Sequence, residues 1–438
     1  MKRRRAAGPA VALAAVIAAG AAGAVALWLP AGPGDVRDLP TALVGAGRVT
    51  GLLGAYAALI QLVLLSRLPI LERMAGLDRR VAWHRPAAMA CLGLLCAHAV
   101  LTTVGYALGD RLGLPAEIGR LVNGYPGVIT AVAALALLIA VAATSAGRLR
   151  RRLRYETWHF THLYAYVAVA LAYSHQLATG SDFVGAPGAR LYWTCLYVVT
   201  AASLLAGRLG VPAMRAFRHR LRVVRVLAQG PTVTSIEIGG RRLDRLGARS
   251  GQFFTWRFLT REHWWEAHPF SLSAAPDGQR LRITVKALGD FSSRLSAIAP
   301  GTRVIAEGPF GAFTAAGRRH PRVVLIAGGV GITPIRALLE DMPGAPGEIV
   351  VVYRAARAAD LILRDELDDL AARRGAEIHY MIGASRALSG DELRALVPDI
   401  ADRDVYVCGP PEMTRATRAT LRSFGVPGRQ ITLESFTL

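Results

Sequence analysis

Four histidines in the apolar first half of the chain are spaced as two pairs. His84 and His98 bound the segment HRPAAMACLGLLCAH, where 14 residues of helix give a rise of about 21 Å and a turn of only about 40° from one face. His162 and His175 are 13 residues apart, a rise of about 20 Å. Two facing imidazoles at one depth can bind a haem iron from both sides. The spacings therefore predict two haem sites, one between His84 and His162 and one between His98 and His175.

The second helix fits this geometry less well, and a fifth histidine competes for the ligand position. Thirteen residues turn an ideal helix to about 140° from the starting face. Tilt, a kink or differently directed haem planes would be needed to correct this. His159 is no better aligned with His175, at about 160°, and we expect it at the helix entrance, beside the haem or its propionates. The alternative for each of these histidines is a hydrogen bond to a neighbouring helix.

Helices that cross a membrane would position these side chains. Of the 438 residues 53% are apolar, yet the formal net charge is +21, a combination typical of inner-membrane proteins with basic cytoplasmic loops. The basic residues are not interleaved with aromatics as nucleic-acid binding requires, so nucleic acid is not an expected partner. Six apolar stretches of about 20 residues are long enough to span a bilayer: residues 10–30, 42–65, 84–107, 126–144, 157–178 and 190–207.

Arginine-rich segments predict the orientation of these stretches. MKRRR, SRLPILERMAGLDRR, GRLRRRLR and MRAFRHRLR all fall on one side. The positive-inside rule places them, both termini and the second half of the chain in the cytoplasm. The first stretch also has the pattern of a secretory signal, but we expect an uncleaved helix because an even number of spans fits the charges. The sequence thus predicts a multi-pass protein of a bacterial inner membrane.

After about residue 210 the pattern becomes that of soluble domains. Short β-branched runs separated by glycine and proline predict an antiparallel β-barrel at residues 216–318. Later strands alternate with helices and predict a parallel α/β sheet at residues 319–438. Residues 1–210 form the predicted all-α transmembrane domain of six helices, which makes three domains in all.

Two glycine turns in the second half suit phosphate groups. In VVLIAGGVGITPIRALL (323–339), an apolar strand leads into glycines that let the backbone approach a phosphate, and a helix then begins at a proline. In GDFSSRL (289–295), hydroxyls open a short helix whose backbone N–H groups suit a pyrophosphate. The alternative for that second segment is a simple capped helix. The candidate residues are Gly289, Ser292, Ser293, Gly328, Gly329, Gly331, Thr333 and Pro334.

The histidine segments resemble a known family. HRPAAMACLGLLCAH is similar to the third helix of the ferric reductase and NADPH oxidase superfamily, and YETWHFTHLYAYVAVALAYSH (155–175) is similar to its fifth. The resemblance extends over about residues 42–438. In that family the second histidine of the W-H-x-x-H segment is a haem ligand, which implies His162 rather than His159.

HPFSLSAAP (268–276) resembles the flavin motif R-x-Y-S-x-x-S of ferredoxin-reductase-like domains. The resemblance implies that Phe270 lies against the flavin and that Ser271 contacts its ring. His268 stands where soluble relatives have arginine, as in the membrane oxidases, which leaves open which group pairs with the flavin phosphate. The implied FAD-binding residues are His268, Pro269, Phe270, Ser271 and Ser273.

The nucleotide segments of the family have counterparts here as well. The turn at Gly328 resembles the G-G-x-G-I-T-P segment that binds the nicotinamide nucleotide. CGPPEM (408–413) resembles the turn beside the nicotinamide, which implies that Cys408 shapes the site and is not a nucleophile. Arg354, directly after a predicted strand, has the position that often pairs with the 2′-phosphate of NADPH, and the alternative is a solvated arginine. Further implied residues are Gly409 and Pro410 at the nucleotide, and Phe436, an aromatic cover for the flavin ring that two more residues follow.

The resemblance implies a transmembrane oxidoreductase with Phe270, Ser271, Cys408 and Phe436 around the reacting rings. Electrons from cytoplasmic NADPH or NADH would pass through FAD and two b-type haems to ferric iron or O2 outside. Two alternatives remain open. One is a membrane-tethered NAD(P)H–flavin reductase that donates to a cytoplasmic protein and uses its histidines structurally. The other is a haem cytochrome subunit or sensor without reductase activity of its own.

Overall fold

Apolar helices fill the first half of the chain, as its composition predicts. The computed structural model describes residues 8–27, 36–153, 155–179, 186–261, 264–383 and 390–436. Two compact units divide between Leu209 and Gly210. The helices of the first unit are α1 Gly8–Ala26, α2 Leu39–Leu64, α3 Pro69–Met74, α4 Leu77–Gly109, α5 Leu114–Gly124, α6 Val128–Ser145, α7 Gly147–Arg152, α8 Tyr155–Thr179 and α9 Pro187–Leu205.

Among the described residues, five helical segments are long and apolar enough to cross a membrane. They are Gly8–Ala26, Leu39–Leu64, Arg79–Gly109, Val128–Ser145 and Pro187–His219. The predicted fifth stretch is α8, a helix of 25 residues that does not qualify by composition, because three histidines lower its hydropathy. The predicted end of the first stretch, residue 30, lies outside the described residues. The count of six spans therefore stays a prediction.

Glycines bring α2 and α4 together. Gly47, Gly51 and Gly54 lie on one face of α2, at spacings of four and three residues. A Cβ atom at these positions would lie 2.6 to 2.8 Å from side chains of α4, so only glycine allows this approach. Small residues have the same role at many helix contacts in membranes.

A second pair of helices consists of α6 and α8. Gly127, just before α6, has φ +83°, and a Cβ atom there would lie 3.0 Å from the Cα atom of His175. The hydroxyls of Thr130 and Ser174 lie 2.9 Å apart across the same contact. By contrast, α4 and α8 approach each other far less than the helices of either of these two pairs do. The histidine-bearing helices are thus each packed against another partner.

The second unit begins with α10 Val211–His219 and six antiparallel strands. The strands form two three-stranded sheets, with the orders β1-β2-β5 and β4-β3-β6. Isolated bridges join Arg222 to Arg303 and Leu272 to Ile283. A β-sheet FAD domain is confirmed, whereas its closure into a barrel stays a prediction. The elements are β1 Arg222–Ala228, β2 Val233–Gly239, β3 Phe253–Phe258, β4 His268–Ser271, β5 Arg280–Lys286, the short helix α11 Asp290–Arg294, and β6 Val304–Phe310.

A parallel sheet flanked by helices completes the second unit and confirms the predicted α/β domain. Its strand order is β11-β10-β7-β8-β9, so the chain changes direction across the sheet between β7 and β10. Ligands of open α/β sheets bind beyond the carboxyl ends of the strands at such a point. The elements are β7 Val323–Gly328, α12 Ile332–Asp341, β8 Ile349–Ala355, α13 Arg364–Arg374, β9 Glu377–Ile382, α14 Gly390–Leu396, β10 Asp404–Gly409, α15 Pro411–Ser423 and β11 Ile431–Ser435.

Candidate functional site

The four predicted ligand histidines meet as two pairs between α4 and α8. The ring centres of His84 and His162 lie 5.9 Å apart, and those of His98 and His175 lie 6.4 Å apart. An imidazole nitrogen lies about 2 Å from a bound metal ion and about 1 Å from its own ring centre, so two axial imidazoles on one ion place their ring centres about 6 Å apart. Both pairs have the separation that a shared iron requires.

The angular offset between His162 and His175 on α8 does not prevent this pairing. An angle of about 140° between two residues leaves each of them about 70° from a direction that bisects it. His162 and His175 can therefore both reach toward α4, one from each flank of α8.

The pair of His98 and His175 is oriented by backbone groups of glycines. Nδ1 of His98 lies 2.8 Å from the carbonyl oxygen of Gly47, and His175 hydrogen-bonds the backbone of Gly127. A metal-binding histidine commonly donates its second ring nitrogen to a carbonyl, which fixes the tautomer and leaves the other nitrogen for the metal. Sequence spacing did not reveal these two glycines as partners of the histidines.

The other pair has fewer partners. Nδ1 of His84 is buried without a hydrogen-bond partner among the described residues, and Nδ1 of His162 lies 3.4 Å from the Ser145 hydroxyl. Trp158 donates to the same hydroxyl at 3.1 Å and packs on His162. No group of three or more metal-ligating side chains occurs in the described part of the chain. Two imidazoles are too few for a bare metal ion but suit haem, because the macrocycle supplies the other ligands.

The predicted flavin segment lies on β4, which pairs with β3 in the antiparallel sheet. Ser271 is buried, and its hydroxyl has no partner among the described residues, as expected of a group that contacts a cofactor. The ring of His268 stacks on Phe291 at 3.9 Å, and Phe270 lies nearly parallel to Phe291 at 6.5 Å. Phe291 was not predicted, although its place inside GDFSSRL, beside the candidate serines, was a signal for it.

Several serine hydroxyls that were predicted to contact a cofactor hydrogen-bond other groups of the protein. Ser273 accepts from Thr284 at 2.8 Å and from Arg282 at 3.2 Å. Ser292 accepts the backbone N–H of Gly289 at 3.0 Å, and Ser293 donates to the Gly289 carbonyl at 2.9 Å. The segment GDFSSRL is therefore a capped helix, and its role at a pyrophosphate stays a prediction.

An ion network joins the FAD and nucleotide domains next to Ser273. Arg282 on β5 donates two hydrogen bonds to Glu366 on α13, at 2.9 and 2.8 Å. Glu340 on α12 pairs with Arg336 at 2.5 Å and accepts the backbone N–H of Ala275 at 2.6 Å. Burial raises the pKa of Glu366, but the arginines more than offset burial and hold that pKa below its ordinary value. The carboxylate stays ionised and connects the two domains at neutral pH.

The two glycine-containing turns of the nucleotide domain pack directly on each other. A Cβ atom at Gly331 would lie 2.3 Å from the carbonyl oxygen of Cys408, and one at Gly409 would lie 3.3 Å from the Cα atom of Gly328. Gly329 has φ +54°, in the region that favours glycine. Thr333 and Pro334 are buried at the start of α12. These turns follow β7 and β10, at the point where the strand order reverses and where open α/β sheets bind their ligands.

Arg354 and Cys408 lie near the carboxyl ends of β8 and β10, the two strands that flank β7 in the sheet. Arg354 is the penultimate residue of β8, beside Gly328 in the register, and not directly after the strand as predicted. Cys408 is fully buried, and burial together with the charge of Glu434 raises its pKa well above the usual range. A neutral thiol agrees with a shaping role. Phe436 packs against the same core, and the two residues after it lie outside the described residues.

Three family matches cover successive parts of the chain. The family described as "Ferric reductase like transmembrane component" matches residues 50–173, "FAD-binding domain" matches residues 223–314, and "Oxidoreductase NAD-binding domain" matches residues 325–419. The chain belongs to the ferric reductase/NADPH oxidase superfamily. That membership confirms the resemblance of the histidine, flavin and nucleotide segments.

Individual relatives of this superfamily member match less than half of its length. A flavohemoprotein of Pseudomonas putida is 35% identical over 180 residues, which cover 38% of this chain and 46% of the relative. The ferredoxin reductase component of a 3-ketosteroid-9-alpha-monooxygenase from Mycobacterium tuberculosis is 30% identical over 200 residues, with 44% and 56% covered. The chain thus spans about half the length of these curated relatives. Ferredoxin–NADP reductase B of Sorangium cellulosum is 32% identical, with 38% and 77% covered.

Among solved structures, the FAD/NAD-binding domain of a nitric oxide dioxygenase from Vibrio cholerae is similar to the chain. It is 26% identical with a TM-score of 0.42, and the match covers 50% of this chain and 98% of that domain.

Proposed function

We propose that this protein is a transmembrane oxidoreductase that passes electrons from cytoplasmic NAD(P)H, through FAD and two b-type haems, to ferric iron or O2 on the outer face. The two imidazole pairs, at 5.9 and 6.4 Å, are the observation that supports this most strongly. Within one helix, 14 residues separate the two α4 ligands by about 21 Å, so the pairs lie at different depths. When bound, the flavin accepts two electrons as hydride and releases them singly, as haem iron requires.

The nucleotide crevice supplies binding and orientation. Gly328 and Gly331 let the two turns close on each other and leave backbone N–H groups for phosphates. Arg354 offers a planar guanidinium to a 2′-phosphate at the end of β8. The Cys408 thiol is neutral and buried, so it contributes shape beside the nicotinamide and takes no proton from it.

The flavin segment supplies contacts to the ring system. The unpartnered Ser271 hydroxyl offers a hydrogen bond to the flavin ring, and Phe270 offers an apolar face. His268 stands where soluble relatives carry arginine, and its ring is held in place by stacking on Phe291. Phe436, which packs against the core of the nucleotide domain, would cover the flavin ring until the nicotinamide binds.

A reduced-minus-oxidised spectrum of the purified protein tests the cofactor assignment. We expect b-type haem bands with two haems per chain. Substitution of His98 by leucine should remove one haem, and substitution of His84 should remove the other, because each imidazole pair would lose a ligand. A spectrum without haem bands would instead support a membrane-tethered flavin reductase with structural histidines.

Inside-out vesicles supplied with NADPH test the direction and the acceptor. Ferric reduction and superoxide formation in the lumen would be measured side by side, with the His98→Leu protein as the control that lacks one haem. We expect one of the two products in the lumen with the unaltered protein. Reduction of an external acceptor on the NADPH side alone would contradict electron transfer across the membrane.

A further inference from the structure

Arg208 lies near the predicted cytoplasmic end of the last membrane helix, where no acidic side chain among the described residues pairs with it. Its Nε atom is buried without a hydrogen-bond partner, and its Nη2 atom makes one long bond of 3.4 Å to the Leu65 carbonyl. An arginine in a membrane usually faces the protein interior and is paired there. This guanidinium therefore has donors left for an anion.

Local backbone geometry holds Arg208 in place. It lies in the π-helical turn Ala206–Gly210, which follows α9. Such turns are rare and occur often at functional sites. A Cβ atom at the adjacent Gly207 would lie 1.8 Å from the Ser66 carbonyl oxygen, so glycine is required for this contact. The close contact fixes the turn against the chain that follows α2.

The guanidinium faces the side of α8 that carries a predicted haem ligand. Its central carbon lies 5.8 Å from the centre of the Tyr166 ring. His159, His162 and Tyr166 follow each other at spacings of three and four residues, which places them on one helix face. His159 is within electrostatic range of both Arg208 and Arg67. Arg208 and Arg67 therefore lie close to the helix face that carries the predicted ligand His162.

We propose that Arg208 binds a propionate carboxylate of the haem held by His84 and His162, with His159 and Tyr166 lining the same site. A guanidinium matches a carboxylate through two parallel hydrogen bonds, and the low dielectric of the membrane strengthens the pair. The proposal rests on the proposed haem-binding function. A lipid phosphate is the other anion with matching chemistry, and the test separates the two sources.

The test compares Arg208→Gln and Arg208→Lys with Arg190→Gln, an exposed arginine at the other end of the same helix. Each purified protein would be titrated with a reductant while its haem bands are recorded. We expect the potential of one haem to fall in Arg208→Gln, because a cation that favours the reduced state is lost, while the other haem is unchanged. That haem should also dissociate about ten- to a hundred-fold faster in detergent.

The lysine variant keeps the charge without the planar fork and should give an intermediate shift, so it also serves if Arg208→Gln does not fold. Arg190→Gln should match the unaltered protein. Unchanged potentials and haem retention in both Arg208 variants would overturn the proposal. Loss of co-purified anionic lipid without any change in the haems would assign the site to a lipid phosphate instead. Absence of haem from the unaltered protein would refute the proposed function and this inference together.

Discussion

Arg354 is the residue proposed to distinguish NADPH from NADH. It is the penultimate residue of β8 and pairs in register with Gly328. We expect Arg354→Ala to reduce kcat/KM for NADPH about ten- to a hundred-fold, the effect of losing a charged hydrogen bond, and to leave NADH nearly unchanged. Arg357→Ala is the matched control, since that exposed arginine pairs with Asp360. Equal losses with both nucleotides would assign Arg354 a structural role.

Cys408 should behave as an unreactive thiol. Burial raises its pKa well above the usual range, so the thiolate is scarce in the folded protein even at mildly alkaline pH. We expect iodoacetamide to leave Cys408 unmodified at pH 7, 8 and 9 in the native protein and to modify it after denaturation, as read by peptide mass spectrometry. Native labelling that rises steeply from pH 7 to pH 8 would show an activated cysteine and contradict the shaping role.

Among single residues, the sequence predicted the pairing of the histidines better than it predicted the groups that support them. The histidine pairs could be predicted because helix rise converts sequence spacing into depth. The place of Phe291 within GDFSSRL was a signal for that residue, but its stack on a histidine 23 positions earlier was not predictable, nor was the contact of Gly127 with a histidine 48 positions later. Such contacts depend on how strands and helices meet, which local patterns do not encode.

At the scale of elements, the glycine face of α2 determines how α4 presents its histidines. We expect Gly51→Ala to remove the haem proposed for His98 and His175, because the added methyl group would lie 2.6 Å from Nδ1 of His98, a nitrogen that already hydrogen-bonds the Gly47 carbonyl. Overpacking of this kind costs about 1–3 kcal/mol. Haem content should fall from two to about one per chain.

Gly45→Ala is the control for that experiment. It lies on the same helix, and a Cβ atom there meets nothing within 4 Å. We expect its haem content to equal that of the unaltered protein. Equal loss of haem in both variants would mean that glycine is needed for the helix itself and not for the imidazole.

The ion network between the FAD and nucleotide domains should set their relative placement. Arg282→Gln leaves Glu366 with a weaker partner, and we expect it to destabilise the second unit by about 1–3 kcal/mol and to slow flavin reduction by NADPH. Flavin reduction would be followed by stopped-flow absorbance. Arg280→Gln is the control on the same strand, because Arg280 pairs with Glu237 inside the FAD domain.

The stabilisation that the Arg282–Glu366 pair provides should decrease in acid. The pKa of Glu366 is below its ordinary value of 4.5, so the stabilisation is complete above that pH and is lost as the pH falls through the lower folded-state value. The difference in stability between Arg282→Gln and the unaltered protein should therefore shrink in acid. A difference that grows below pH 4.5 would contradict the assignment.

Which segments form strands and which form helices was largely predictable, whereas the pairing of the strands into sheets was not. The alternation of apolar strands with helices predicted the parallel sheet, and the glycine-rich strand ends predicted its crevice. Within the orders β1-β2-β5 and β4-β3-β6, the pairs β2–β5 and β3–β6 join strands that are distant in sequence, so no local pattern reports them. Similarly, α8 is too rich in histidine to qualify as a span by hydropathy, although its partner α6 does.

For the whole molecule, charge asymmetry predicts which side faces the cytoplasm. The arginine-rich GRLRRRLR segment and the second unit belong to the same side by the positive-inside rule. We expect trypsin to degrade residues 210–438 in inside-out vesicles and to spare them in right-side-out vesicles, as read with an antibody to the C-terminal half. Protection in inside-out vesicles would reverse the orientation and place NAD(P)H use outside.

The separation of α4 from α8 bears on biogenesis. Each of these helices is packed on its own neighbour, α2 or α6, and few backbone contacts join the two pairs. Each pair can therefore be complete soon after membrane insertion, before any prosthetic group is delivered. The cofactors proposed for the gap would then enter sideways between two preassembled hairpins and join them.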